Sequence, residues 1–182
     1  LRLKQSNPLP GVCRMAAWLA QAGEDELSVA LVEGEGILGH KSAEVLLPLV
    51  FLRWGTIDRA GALDALAAYY RNPPAEGARE IDCLGPFFVA WAEDDPHAAL
   101  EAMLTLDLPR GVRRPVNEVF DDLCERDAKL AASLSVELAS SSEGERRGVG
   151  FSMFSTVMKR LSEAEGPDQA LAWAAQQPTL AV

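Results

Sequence analysis

A four-residue apolar pattern, at positions i, i+3, i+4 and i+7, recurs five times along this chain. The copies begin at Val12, Leu47, Leu84, Val116 and Phe154. Successive copies start between 32 and 38 residues apart. This spacing places the apolar side chains on one side of a helix, and its recurrence every ~35 residues is typical of a helical repeat array. A small apolar pair, such as Ala99-Leu100, follows each copy and marks a second helix. The pattern predicts an all-α superhelix, or solenoid, of about five stacked helix hairpins.

Capping and turn residues place the ends of the predicted helices. Asp95 followed by Pro96 is a helix start, because aspartate caps a first turn whose first position tolerates proline. Asp58 and Ser42 are expected to cap two other helices. Residues 34–36, Gly-Glu-Gly, are expected to end the second helix. Residues 1–9 are interpreted as a tail or linker.

A single helical-repeat domain is therefore expected over residues 10–182. The chain begins with leucine rather than methionine, so we expect this domain to be excised from a longer protein.

The charge balance restricts the classes of partner. The chain has 17 basic and 27 acidic residues and a formal net charge of −10, while 48% of its residues are hydrophobic. That composition is typical of a globular fold, and a negative field of this size repels nucleic acid. No apolar run approaches the ~20 residues that a membrane-spanning helix needs. The preferred partner is a protein or peptide, basic in character.

One segment resembles a known repeat family. The stretch from Trp91 through Asp95-Pro96-His97-Ala98-Ala99-Leu100 to Leu106-Asp107-Leu108-Pro109 is similar to the second half of a tetratricopeptide-type repeat. Hairpins of ~35 residues are also similar to the wider alpha-solenoid group, which includes HEAT-like arrays. The resemblance extends as a pattern over roughly residues 10–178. It implies a right-handed superhelix with a concave face that binds other proteins.

The segment Gly34-Glu35-Gly36-Ile37-Leu38-Gly39 matches the dinucleotide-binding spacing G-x-G-x-x-G. A dinucleotide site would also require a parallel sheet, and the sequence contains no second strand-helix-strand unit. Glu33 and Glu35 would in addition repel a pyrophosphate. The favoured interpretation is a glycine-rich loop between repeats, and no cofactor is predicted.

Four carboxylates occupy one face of the helix that begins at Val116. They are Glu118, Asp121, Asp122 and Glu125. Their positions follow the apolar pattern with an offset of two residues, which rotates them about 200° from the apolar side. A solvated helix face is one interpretation, and a contact with a basic partner or a cation is another. Asp121-Asp122-Leu123-Cys124-Glu125 also resembles the D-D-x-x-E magnesium-diphosphate motif of terpene-type synthases. The alternative function is therefore an all-α metal-dependent enzyme that uses residues 118–125.

The remaining reactive side chains form no catalytic or metal-binding pattern. Cys13, Cys83 and Cys124 lack C-x-x-C spacing and adjoin apolar-pattern residues, so they are interpreted as small buried hydrophobic residues. His40 and His97 have no nucleophile or carboxylate at motif spacing. The arginines of segments 110–114 and 146–147 could line one edge of the array, as an anion site or as a repeated polar edge. No catalytic, cofactor or metal residue is assigned.

The partner-binding surface is expected two residues beyond each apolar-pattern position. The candidate residues are Leu49, Leu52, Arg53, Val89, Glu93, Glu118, Asp121, Asp122 and Glu125. This face is apolar in the middle of the chain and acidic towards its C-terminal part. Either the middle helices are simply buried all round, or the face is a groove for a peptide with apolar anchors and a basic tail. The sequence therefore predicts a non-catalytic protein-interaction or scaffold module.

Overall fold

The computed structural model describes residues 9–38, 40–73, 81–141 and 149–176, which contain ten α-helices and no strand. The all-α prediction is confirmed. The helices are α1 (Leu9–Gln21), α2 (Glu24–Leu38), α3 (His40–Ile57), α4 (Arg59–Arg71), α5 (Leu84–Asp94), α6 (Pro96–Thr105), α7 (Val116–Arg126), α8 (Ala128–Ser140), α9 (Val149–Glu165) and α10 (Pro167–Ala175). Within these ranges, no helix has both the length and the apolar composition required to cross a lipid bilayer. Of the predicted tail, only Leu9 lies within the described residues.

The chain divides into two compact units, Leu1–Phe87 and Phe88–Val182. In the first unit, α1, α2 and α4 each pack against α3. The α3 side chains Leu47, Val50 and Phe51 are completely buried, as the apolar pattern predicts. The ring of Phe51 meets Tyr69 of α4 edge to face, with 5.9 Å between ring centroids. Helix α3 is therefore the central element of this unit.

In the second unit, α7, α8 and α9 pack against one another, and α10 packs on α9. Helix α7 buries all four members of its apolar pattern, including Phe120 and Leu123. On α9, Val157 and Leu161 are buried while Phe154 is half-buried. The Phe154 ring stacks on the ring of Trp173 of α10, with 6.4 Å between the ring centroids. The polar faces of these helices remain towards solvent, as expected for amphipathic helices around a shared core.

The helix ends differ in their capping, and the predicted cap at Asp95 is present. The carboxylate of Asp95 accepts a hydrogen bond from the N–H of Ala98 at 3.0 Å, and Pro96 begins α6. Asp127 accepts hydrogen bonds from the first-turn N–H groups of α8. Asp58 occupies the N-cap position of α4 but makes no capping hydrogen bond. Gly166 separates α9 from α10 with φ of 94°, a conformation that favours glycine.

The structure differs from three local predictions. Helix α2 runs to Leu38, so residues 34–36 are helical rather than a loop, and no strand precedes them. Helix α3 begins at His40, two residues before the expected cap Ser42. On α1, Ala16 belongs to the apolar pattern yet is exposed. Each glycine lowers the stability of a helix by about 1 kcal/mol relative to alanine. The packing of α2 against α3 compensates for this cost.

Candidate functional site

An exposed apolar face lies along α3. Val45 is 61% exposed and Leu49 is 40% exposed. Leu52 is half-buried, and Thr56 is exposed further along the same helix. Their spacing of four, three and four residues keeps all four within one narrow strip of the helix surface. We call Val45, Leu49, Leu52 and Thr56 the α3 face.

Arg53 borders the α3 face and lies along the helix rather than projecting from it. Its Nη1 donates a hydrogen bond to Oγ1 of Thr56 at 3.3 Å. The Thr56 hydroxyl in turn donates to the Arg53 carbonyl at 2.7 Å. This local network places a positive charge at the border of the α3 face. A carboxylate on a partner, rather than a basic group, is the favourable neighbour at this position.

The candidate residues on α5 are accessible. Val89 is half-buried and Glu93 is exposed. The buried side of this helix is formed by Leu84, Phe87 and Phe88, as predicted. Trp91 ends the same apolar pattern but is only half-buried, and its ring stacks on Phe88 with centroids 5.8 Å apart. The last position of the α5 apolar pattern is therefore only partly enclosed.

Arginines pair with most of the acidic face of α7. Arg113 contacts Glu118 at 2.9 Å, and Arg126 binds Asp122 through two N–H groups of its guanidinium. Arg160 of α9 contacts Asp121 at 3.5 Å. Each of these three pairs is substantially exposed, so each contributes only about 0–1 kcal/mol to stability. Their main effect is to neutralise the face, so that an approaching basic partner must compete with three arginines.

The pairing of α7 carboxylates with arginines argues against a metal-dependent enzyme that uses residues 118–125. A magnesium site needs carboxylate oxygens that converge on the cation, but three of the four α7 carboxylates face guanidinium groups. Among the described residues, no three His, Cys, Asp or Glu side chains are grouped closely enough to hold a metal ion. The geometry of 118–125 therefore offers no support for catalysis by a bound metal.

Two of the arginines proposed to line an edge of the array, Arg113 and Arg114, make local contacts within the chain. Arg114 donates from Nε to the Met103 carbonyl at 3.0 Å and from Nη2 to the Leu106 carbonyl at 2.5 Å. It thereby satisfies carbonyl groups at the C-terminal end of α6 that lack partners within the helix. Arg110 is exposed, and Arg113 is paired on α7. Residues 146–147 lie outside the described residues.

The cysteines lie in different environments. Cys83 is completely buried, as predicted, while Cys124 is half-buried on α7. Burial raises the pKa of the Cys124 thiol, the Asp121 carboxylate raises it further, and Arg160 opposes that rise. A thiol with a raised pKa is a poor nucleophile at neutral pH. The side chains of Cys13 and His40 lie outside the described residues.

A cleft between α6 and α8 was not predicted from the sequence. It has a volume of about 320 Å³. Its floor is formed by four leucines, Leu100, Leu104, Leu134 and Leu138. Glu101 of α6 and Glu137 of α8 also line it. His97 of α6 also lines the cleft, with Nδ1 3.5 Å from the carboxylate of Glu137. The four leucines form two i,i+4 pairs, one on each helix.

Comparison with known proteins provides no family assignment. The chain matches no protein-family model, no curated protein and no solved structure.

Proposed function

We propose that this chain is a non-catalytic protein-interaction module and that the α3 face contacts the partner. The observation that carries the proposal is the exposure of Val45 and Leu49 beside Leu52 on one strip of α3. Aliphatic side chains aligned over successive turns form a surface that gains free energy when another protein covers it. The opposite side of α3 is fully buried, so the helix is held rigidly while it presents this strip.

The repeat architecture is part of the same proposal. In three pairs of neighbouring helices, α3–α4, α7–α8 and α9–α10, the two helices pack directly against each other. Such pairs support a solenoid of tetratricopeptide-like or HEAT-like hairpins, in which each hairpin buries its apolar face against a neighbour. In that architecture, the outward positions of the first helices are available for a partner.

The partner that fits the α3 face is a helical or extended protein segment with apolar anchors. Anchors at i, i+4 and i+7 of a partner helix match the spacing of the exposed strip. The net charge of −10 favours long-range approach of a segment that is basic elsewhere in its sequence. The positive charge of Arg53 disfavours a lysine or arginine of the partner immediately beside the apolar anchor residues.

A pair of matched variants tests the proposal. Val45→Glu combined with Leu49→Glu introduces charge on the α3 face, while Leu171→Glu introduces charge at a site on α10 that is 66% exposed. Proteins captured from the native host by crosslinking are identified by mass spectrometry for the wild type and for both variants. We expect one partner to be lost from the double variant and retained by Leu171→Glu. Circular dichroism checks that both variants keep the helical content of the wild type.

The opposite result has a direct meaning. If the double variant, folded as judged by its thermal unfolding, captures the same proteins as the wild type in the same amounts, the α3 face is not the contact surface.

A further inference from the structure

The α6–α8 cleft differs from the α3 face in having an acidic lining. Glu101 and Glu137 approach its leucine floor from the two helices. No lysine or arginine among the described residues lines it, and His97 is its one basic group. Three of the four α7 carboxylates, in contrast, face arginines of the same chain. The cleft thus combines an apolar floor with carboxylates that pair with none of the described arginines.

The size of the cleft limits what it can hold. Ligand pockets for small molecules and cofactors have volumes of about 300–1,000 Å³. At about 320 Å³ the cleft lies at the lower end of this range, and it is partly open to solvent. This volume suits one or two aliphatic side chains of a partner segment whose backbone remains outside.

We propose that the cleft between α6 and α8 binds an aliphatic anchor of a partner segment, and that a lysine or arginine beside the anchor pairs with Glu101 and Glu137. This inference rests on the proposed function and adds a second contact site with a defined chemistry. The four leucines are already only 3–7% exposed, so the free energy of burial comes mainly from the aliphatic side chain of the partner as it leaves water. The two carboxylates select the sign of the neighbouring charge. Glu101 makes no ion pair with another described residue, so its carboxylate is available to the partner.

Leucine-methyl NMR of the full chain tests the inference with two synthetic peptides. One peptide carries two leucines at i and i+4 flanked by lysines, and the other has glutamates in place of the lysines. We expect the lysine peptide to shift the methyl resonances of Leu100, Leu104, Leu134 and Leu138. The glutamate peptide should leave them unchanged at the same concentrations.

Matched variants separate the cleft carboxylates from the general negative charge. Glu101→Gln with Glu137→Gln removes two negative charges from the cleft, and Asp64→Asn with Asp107→Asn removes two from exposed positions elsewhere. We expect the Kd for the lysine peptide to rise about two- to thirtyfold in the first variant, which is the combined effect of losing two partly exposed charge pairs. The Kd of the Asp64→Asn, Asp107→Asn variant should stay close to that of the wild type, with only the small rise that any loss of negative charge causes.

Three outcomes would overturn the inference. Shifts at Leu49 and Leu52 without shifts in the cleft would move the site to the α3 face and leave the proposed function intact. Equal weakening by both double variants would reduce the binding to general electrostatic attraction. Absence of binding by both peptides would remove the cleft as a docking site, while the crosslinking comparison tests the α3 face independently.

Discussion

The hydroxyl of Tyr70 on α4 accepts a hydrogen bond from the backbone N–H of Cys83 at 3.0 Å. The same hydroxyl donates to the carbonyl of Ile81 at 2.8 Å. A single buried side chain thereby satisfies two backbone groups of the segment that leads into α5. Because buried polar groups without partners are costly, this contact fixes residues 81–83 against α4.

Replacing Tyr70 by phenylalanine should lower the free energy of unfolding by about 1–3 kcal/mol, because the buried N–H of Cys83 and carbonyl of Ile81 lose their partner. Urea unfolding followed by circular dichroism measures the change. Thr56→Val removes a hydroxyl that is exposed to solvent, and it should change stability by no more than about 0.5 kcal/mol. Equal effects of the two substitutions would show that the Tyr70 hydrogen bonds contribute no stability.

Tyr70 also predicts a loss of stability at alkaline pH. Burial raises its pKa well above the ordinary value of 10.0. The unfolded state therefore releases this proton more readily than the folded state does at high pH. The stabilising contribution is complete below pH ~10 and declines as the pH rises above that value. Unfolding free energies measured across this range should fall more steeply for the wild type than for Tyr70→Phe. Parallel pH profiles would contradict this expectation.

Gly55 should be intolerant of alanine although it lies within α3. A Cβ atom at this position would lie 2.8 Å from Cε2 of Phe87, which is buried. Alanine gains up to about 1 kcal/mol in helix propensity, whereas overpacking costs about 1–3 kcal/mol. We expect a net loss of about 1 kcal/mol in urea unfolding. The same substitution in a Phe87→Leu background should cost less, and an equal cost in both backgrounds would exclude the contact with Phe87 as the cause.

The helices could be predicted from local patterns because their signals are local. The periodicity around Val50 and Phe120 identifies buried faces, and Asp95 with Pro96 identifies a helix start through hydrogen bonds within one turn. The extension of α2 through Gly34 and Gly36 could not be predicted in this way. It depends on packing against α3, which short-range propensity does not report.

The candidate sites depend on longer-range relationships. The sequence placed Asp121 and Asp122 on one face, but the arginine that pairs with Asp121 lies 39 residues away at Arg160. The cleft between α6 and α8 likewise exists only because two leucine pairs from different helices line a common space. In each helix alone, a leucine pair at i,i+4 indicates core packing, and only the tertiary arrangement distinguishes a cleft from a filled interior.

Two adjacent arginines should differ in their effect on stability. Arg114 is half-buried and donates to two carbonyls at the end of α6, whereas Arg113 is exposed and pairs with Glu118. Arg114→Met should cost about 1.5–3 kcal/mol, because it leaves partly buried carbonyls without a charged donor. Arg113→Met should cost no more than about 1 kcal/mol. Thermal unfolding of the two variants measures the difference. A larger loss for Arg113→Met would contradict the assignment of Arg114 as the cap of α6.

The reactivity of the Cys124 thiol should depend on the charges of Asp121 on α7 and Arg160 on α9. Its pKa is raised mainly by burial and also by the negative charge of Asp121, while the positive charge of Arg160 lowers it. Asp121→Asn should therefore lower the thiol pKa and speed alkylation by iodoacetamide at mildly alkaline pH, because the thiolate is the reacting form. Arg160→Gln should raise the pKa and slow the reaction. Mass spectrometry of the Cys124 peptide during labelling of the native protein gives both rates. Changes of the same sign in the two variants would indicate altered exposure of the thiol instead of altered charge.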